Sequence, residues 1–126
     1  RGMPVFVVSR TAEMLANLPK NDSQLRDPQS AESVQPDYAK NLTRSRSAEM
    51  LVVTGVCTHL GCAPGYRPEV GAADLGGADW FGGFYCPCHG SKYDLAGRVF
   101  QGVPAPLNLP VPPYTLQGTI LTVGEG

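Results

Sequence analysis

No apolar run in the sequence approaches the roughly 20 residues that a membrane-spanning helix requires, and no basic–apolar–small pattern of a secretory signal opens it. Basic residues are in no excess either: ten Lys and Arg stand against eleven Asp and Glu, for a net charge of −1. Binding a phosphate backbone needs a clustered basic surface, so a nucleic-acid partner is excluded on this count. At 126 residues the chain has room for one domain with a real core and too little for two. Fifteen Gly and twelve Pro are spread among apolar runs instead of gathering in low-complexity tracts, which implies a turn-rich, folded β protein. The chain opens at Arg1 and not at a start methionine, which leads us to expect a soluble piece of a longer protein.

Along the chain, PVFVVSRT (4–11) is apolar and β-branched and predicts a strand. TAEMLANL (11–18) predicts a short helix with Thr11 as N-cap and Met14, Leu15 and Leu18 on one face. From about 19 to 46 the composition is polar, without periodicity, and predicts a long surface segment with few anchors. EMLVVTGV (49–56) and FGGFYC (81–86) predict buried strands. KYDLAGRVF predicts a hairpin turning near Ala96 and Gly97, and YTLQGTILTV a second turning at Gly118. Residues 63–85, rich in glycine and charge, predict a loop.

Cysteine and histidine are scarce, four and two residues. All six lie in CTHLGC (57–62) and CPCHGS (86–91), each at the end of a predicted strand. Two strand-end loops can face each other and hold something between them. Structural zinc is the commonest reason for such clusters, but it needs four donors and a finger does not mix Cys with His in each knuckle as here. A 2Fe-2S cluster held by two thiolates on one iron and two imidazoles on the other would take one Cys and one His from each loop. Cys62 and Cys88 would then stand in matching places, where a disulfide could clip the loops together. On the residues alone both metals stay open.

CTHLGC and CPCHGSKYD resemble the two cluster-binding boxes of Rieske iron-sulfur proteins, in particular those of quinol-oxidising cytochrome bc complexes. The likeness continues through GVPAPLNLPVP and, more loosely, back to PVFVVSRT. It implies an all-β Rieske fold, an antiparallel sandwich or barrel base with one short helix. The cluster-binding subdomain would cover about 57–106, and the base 1–56 and 107–126. It further implies one 2Fe-2S cluster per chain, with Cys57 and Cys86 on the inner iron, His59 and His89 on the outer, and a Cys62–Cys88 disulfide. The Ser91 hydroxyl would bond a bridging sulfide and the Tyr93 hydroxyl the Cys57 sulfur. Leu60 and Gly61, with Pro104, Ala105 and Pro106 of the proline loop, would form the docking tip. Val103 departs from the family, which has proline directly after glycine, and the long spacer 63–85 resembles bacterial bc members.

The ligand set fixes the direction of the redox effect. Two ferric irons, two sulfides and two thiolates with neutral imidazoles sum to zero, whereas four thiolates leave minus two. Adding an electron to the neutral centre is easier, which raises the potential into the range of roughly −150 to +300 mV. Ferric iron also acidifies the free nitrogen of a ligating imidazole, so electron and proton can be accepted together. By resemblance, His89 and His59 are the residues exposed to ubiquinol, and the partners are cytochrome b and a c-type cytochrome. The implied place is the periplasmic face of a bacterial inner membrane, reached only through an N-terminal helix and hinge that this sequence lacks. A soluble Rieske ferredoxin serving an oxygenase is the alternative, and Cys62 and Cys88 speak against it because that group generally lacks them.

Overall fold

The computed structural model describes residues 4–58, 62–88, 90–117 and 120–123. Among these, seven short strands make three antiparallel sheets, and the one α-helix is short. Strand β1 (Val5–Ser9) pairs along its whole length with β2 (Met50–Thr54), Val7 opposite Val52. Strands β3 (Gly65–Arg67), β4 (Gly83–Tyr85) and β5 (Lys92–Asp94) form the second sheet in that order. Strands β6 (Tyr114–Gln117) and β7 (Ile120–Val123) form the third. The expected all-β class is therefore observed. Its ladders, however, form separate sheets of two, three and two strands and no closed barrel among the described residues.

The strand patterns follow burial. Leu51, Val52 and Val53 are consecutive and all buried, as a continuous apolar run requires of a strand covered on both faces. In β1 only Val8 is buried, while Val5 and Val7 are 37% and 49% exposed. The second edge of β1 has no ladder among the described residues. An open groove of about 480 Å³ runs beside it, floored by Phe6, Tyr66 and Phe84. The partner of β1 is β2, from 41 residues further along.

Helix α1 (Ala12–Asn17) begins as expected, Thr11 Oγ1 accepting from Met14 N at 3.2 Å. Such a cap stabilises by about 1 kcal/mol. Its apolar face joins Leu18, Leu95 and Ala96 in a small cluster. The hairpin after β5 turns where expected: Asp94 N donates to Arg98 O and Gly97 N to Asp94 O, both at 2.9 Å. Gly97 has φ of +74° with Arg44, Leu109 and Val53 packed against it, so only glycine fits without strain. The turn of the second hairpin, at Gly118, lies outside the described residues.

Two expectations need correction. Residues 19–46 are not a loosely held surface segment. They carry 3-10 turns at Leu18–Gln24 and Asp37–Ala39 and bury Leu25, Ser30, Ala39, Arg44 and Ser45. Polar composition hid this, because the anchors are long-range hydrogen bonds and not an apolar stripe. The spacer 63–85 is likewise not all loop: β3 extends the sheet, and Trp80, fully buried, packs on Phe100, Leu25 and Leu75. The main core draws on all three sheets and includes both Cys57 and Cys86.

Candidate metal centre

Strands β2 and β4 each run into a cysteine, and both loops that follow close in the same way. Cys57 N donates to Cys62 O at 2.6 Å, and Cys86 N donates to Ser91 O at 2.8 Å. The offset is five residues in each case, so the two patches are closed by the same backbone bond. In the second loop Gly90, with φ of +82°, turns the chain back, its N–H donating to Cys86 O at 2.9 Å. Cys62 and Cys88 are joined by a disulfide with Cα atoms 6.5 Å apart, which fastens one loop to the other.

Cys57 and Cys86 stand outside that disulfide, and both are buried. The sulfurs of Cys62, Cys86 and Cys88 lie within 4.8 Å of one another. A disulfide sulfur is no thiolate donor, so Cys86 alone of that trio suits a metal. His59, Leu60, Gly61 and His89 lie outside the described residues. With the disulfide formed, two thiols and two imidazoles are what the loops can offer. By count that set fits a tetrahedral zinc, and by its pairing it fits a mixed-ligand 2Fe-2S cluster equally.

Hydroxyl groups surround the cysteines. The Tyr93 hydroxyl, opposite Phe84 in the β4–β5 ladder, donates to Cys57 Sγ at 3.2 Å. Burial, and then this hydrogen bond, push the Tyr93 pKa well above its ordinary value, so the group keeps its proton. The Tyr93 oxygen accepts from Thr58 N at 3.2 Å, and Thr58 Oγ1 donates to Leu107 O at 2.6 Å. Ser91 is fully buried, and its Oγ accepts from Ala105 N at 3.1 Å, which leaves its own proton to be given elsewhere. Ala105 is buried between two exposed prolines, Pro104 and Pro106. Val103 is half-buried and touches both the main core and the Trp80 cluster, so the departure from the family pattern is filled by packing.

Sequence reasoning singled out the cysteines, Ser91, Tyr93 and the proline loop. It missed Thr58, which sits inside the first box, and the carbonyl of Leu107. A hydroxyl beside a presumed ligand was the available signal for Thr58; a backbone acceptor 49 residues away has none.

The family model that matches the chain, over residues 16–113, is described as the Rieske [2Fe-2S] domain. Over 126 residues the chain is 59% identical to the ubiquinol-cytochrome c reductase iron-sulfur subunit of Allochromatium vinosum, covering 99% of this chain and 60% of that protein. It is 49% identical over 116 residues to the subunit of the same name from Rhodospirillum rubrum, covering 90% and 54%. It is 42% identical over 125 residues to the mitochondrial cytochrome b-c1 complex subunit Rieske of Schizosaccharomyces pombe, covering 98% and 46%. The chain thus spans about half to three fifths of the length of these curated relatives.

Proposed function

The chain belongs to the Rieske [2Fe-2S] domain family, and from that premise we propose that it is the electron-transfer domain of a membrane-bound ubiquinol:cytochrome c oxidoreductase. Bound here, a 2Fe-2S cluster supplies a one-electron acceptor of raised potential. Cys57 and Cys86, at the ends of β2 and β4, would hold its inner iron, and His59 and His89 its outer one. These four are the donors the disulfide leaves over, and the buried cysteine positions keep water from the inner side. Tyr93 places a proton on Cys57 Sγ, and Ser91 has a proton to give to a sulfide. Hydrogen bonds to sulfur offset the negative charge that reduction adds, which puts this domain at the high end of the range.

In this reading ubiquinol gives up an electron and a proton at this end of the molecule, His89 accepting the hydrogen bond from quinol and His59 lying beside it. A c-type haem receives the electron, and cytochrome b supplies the quinol pocket. Leu60, Gly61 and the prolines of Pro104 to Pro106 are the docking tip. The cluster-binding subdomain is about 57–106, on a base of 1–56 and 107–126. Among the described residues no helix is long and apolar enough to cross a membrane. Anchoring at the periplasmic face of a bacterial inner membrane is supported by likeness to the longer relatives, and a disulfide suits that oxidising compartment.

The observation that favours this reading over a soluble ferredoxin is the Cys62–Cys88 disulfide, which clips the two loops together. A redox titration of the iron-loaded chain across pH, followed by electron paramagnetic resonance, tests it. A high midpoint potential that falls as pH rises past neutrality supports quinol oxidation. A low potential, flat near neutrality, moves the chain to the ferredoxins, and a colourless zinc-only protein removes the redox role altogether.

A further inference from the structure

Thr58 has two donors, and the structure accounts for both. Its hydroxyl donates to Leu107 O at 2.6 Å, a carbonyl that can only accept. Its backbone N–H donates to the Tyr93 hydroxyl oxygen at 3.2 Å. The distance from Thr58 Oγ1 to that same oxygen is 3.4 Å, beyond the range of about 2.5–3.0 Å for an effective O–H···O bond. Tyr93 therefore receives a proton from the Thr58 peptide and has one of its own to place. Cys57 Sγ, at 3.2 Å, is the acceptor within reach.

We propose that Thr58 is a positioning residue for the potential of the bound cluster: anchored through its hydroxyl to Leu107 O, it aims its N–H at Tyr93 and so points the Tyr93 proton at Cys57 Sγ. Two features support the assignment. An N–H given into a hydroxyl oxygen polarises that hydroxyl and strengthens the bond it donates onward. The geometry is also repeated at the second loop, where Ala105 N–H fills an acceptor position of Ser91 Oγ and leaves the Ser91 proton for another acceptor. Ala105 and Leu107 are two residues apart, so one short stretch of chain braces Ser91 directly and Tyr93 through Thr58.

The inference rests on the proposed function in one respect, that Cys57 binds cluster iron. Its test is a cycle of cluster-loaded variants, T58V and T58S in the parent chain and T58V with Y93F, read as midpoint potentials at fixed pH. Thr58→Val keeps shape and removes the anchoring hydroxyl; Thr58→Ser keeps the hydroxyl. The expected result is a downward shift for T58V smaller than that of Y93F, little shift for T58S, and no further shift when T58V is added to Y93F. A role in folding alone would lower stability in both backgrounds and leave the potentials where they were. An unchanged or raised potential in T58V, or the same shift with and without the Tyr93 hydroxyl, overturns the inference. So does failure of both T58V and Thr58→Ala to load iron, because the hydroxyl would then serve assembly. If the parent chain itself binds no iron-sulfur cluster, it is the proposed function that falls.

Discussion

Three arginines, Arg10, Arg44 and Arg98, are buried to 3% exposure or less, and one carboxylate, Asp94, is fully buried with them. Burial pulls the Arg10 and Arg44 pKa values down from the ordinary guanidinium range to about 10, with Asp94 opposing that, so both stay cationic at neutral pH. Arg10 donates to the carbonyls of Thr43, Ala48 and Leu95 and to the Ser45 hydroxyl, and Arg44 donates to Ala96 O while its Nε stays buried with no partner among the described residues. Arg98 has Asp94 at 2.8 Å and, on its other side, the half-exposed Asp22 at 3.1 Å. Breaking such a pair by removing one partner costs about 3–5 kcal/mol, because the remaining charge stays buried. Asp94→Asn, which keeps an oxygen for the N–H groups of Ala96 and Arg98, isolates the charge and is expected near the lower end in urea denaturation. Ser91→Ala acts twice. It leaves Ala105 N–H buried and unpaired, at a cost of about 1–3 kcal/mol, and it lowers the midpoint potential of a cluster that still assembles. An unchanged potential would reassign Ser91 to folding alone. The Cys62–Cys88 pair and the Tyr93 contact with Cys57 were legible in the sequence through its resemblance to a family, carried by scarce residue types at fixed spacing. The arginines were not, since composition assigns a charged side chain to the surface.

Elements held by local patterns were legible, and those held from a distance were not. Strands β1, β2 and β4 announce themselves by apolar runs, and α1 by its cap. The 3-10 turn at Leu18–Gln24 and the chain after it instead hang on remote backbone groups, Arg26 N donating to Val99 O at 3.0 Å and Gln101 N to Gln24 O at 2.8 Å. Within this stretch Asp27 organises a turn by accepting from Ala31 N, Glu32 N and Ser33 Oγ. Desolvation works to raise its pKa, but the bonds from Glu32, Ser33 and Ala31, with the nearby Arg44 charge, outweigh it, and the value is lowered from 3.8. A carboxyl whose folded pKa is depressed contributes stability that is complete above its unfolded pKa and is lost as pH falls through the lower folded one. Asp27→Asn should therefore cost on the order of 1 kcal/mol at neutral pH and flatten the acid limb of the stability–pH curve. An acid limb as steep as that of the parent chain would show that other carboxyls govern it.

At the scale of the molecule, the two cysteine loops are held at one end by the core and at the other by Cys62–Cys88. The base has its own ties. Thr54 N donates to Pro110 O, Gly55 N to Pro4 O and Val111 N to Val34 O, none of which involves a residue of 57–106. The disulfide joins residues 26 apart in sequence. In the chain-entropy model, closing a loop of that size stabilises by about 3–4 kcal/mol. Its loss need not be felt evenly, because cooperative units open separately when few contacts cross between them. Replacing both Cys62 and Cys88 by serine should lower the denaturation midpoint and release the loops before the base. Hydrogen exchange separates the two effects by position. Protection should fall at the N–H groups of Cys57 and Cys86, which close the loops onto Cys62 O and Ser91 O. It should fall much less across the β1–β2 ladder, where Val7 faces Val52. Uniform loss of protection would mean that loops and base unfold as one unit, and the disulfide would then be a global staple. Loss confined to the loops would make it a local clamp on the ends of β2 and β4, and iron should dissociate faster from the serine variant while the base remains folded.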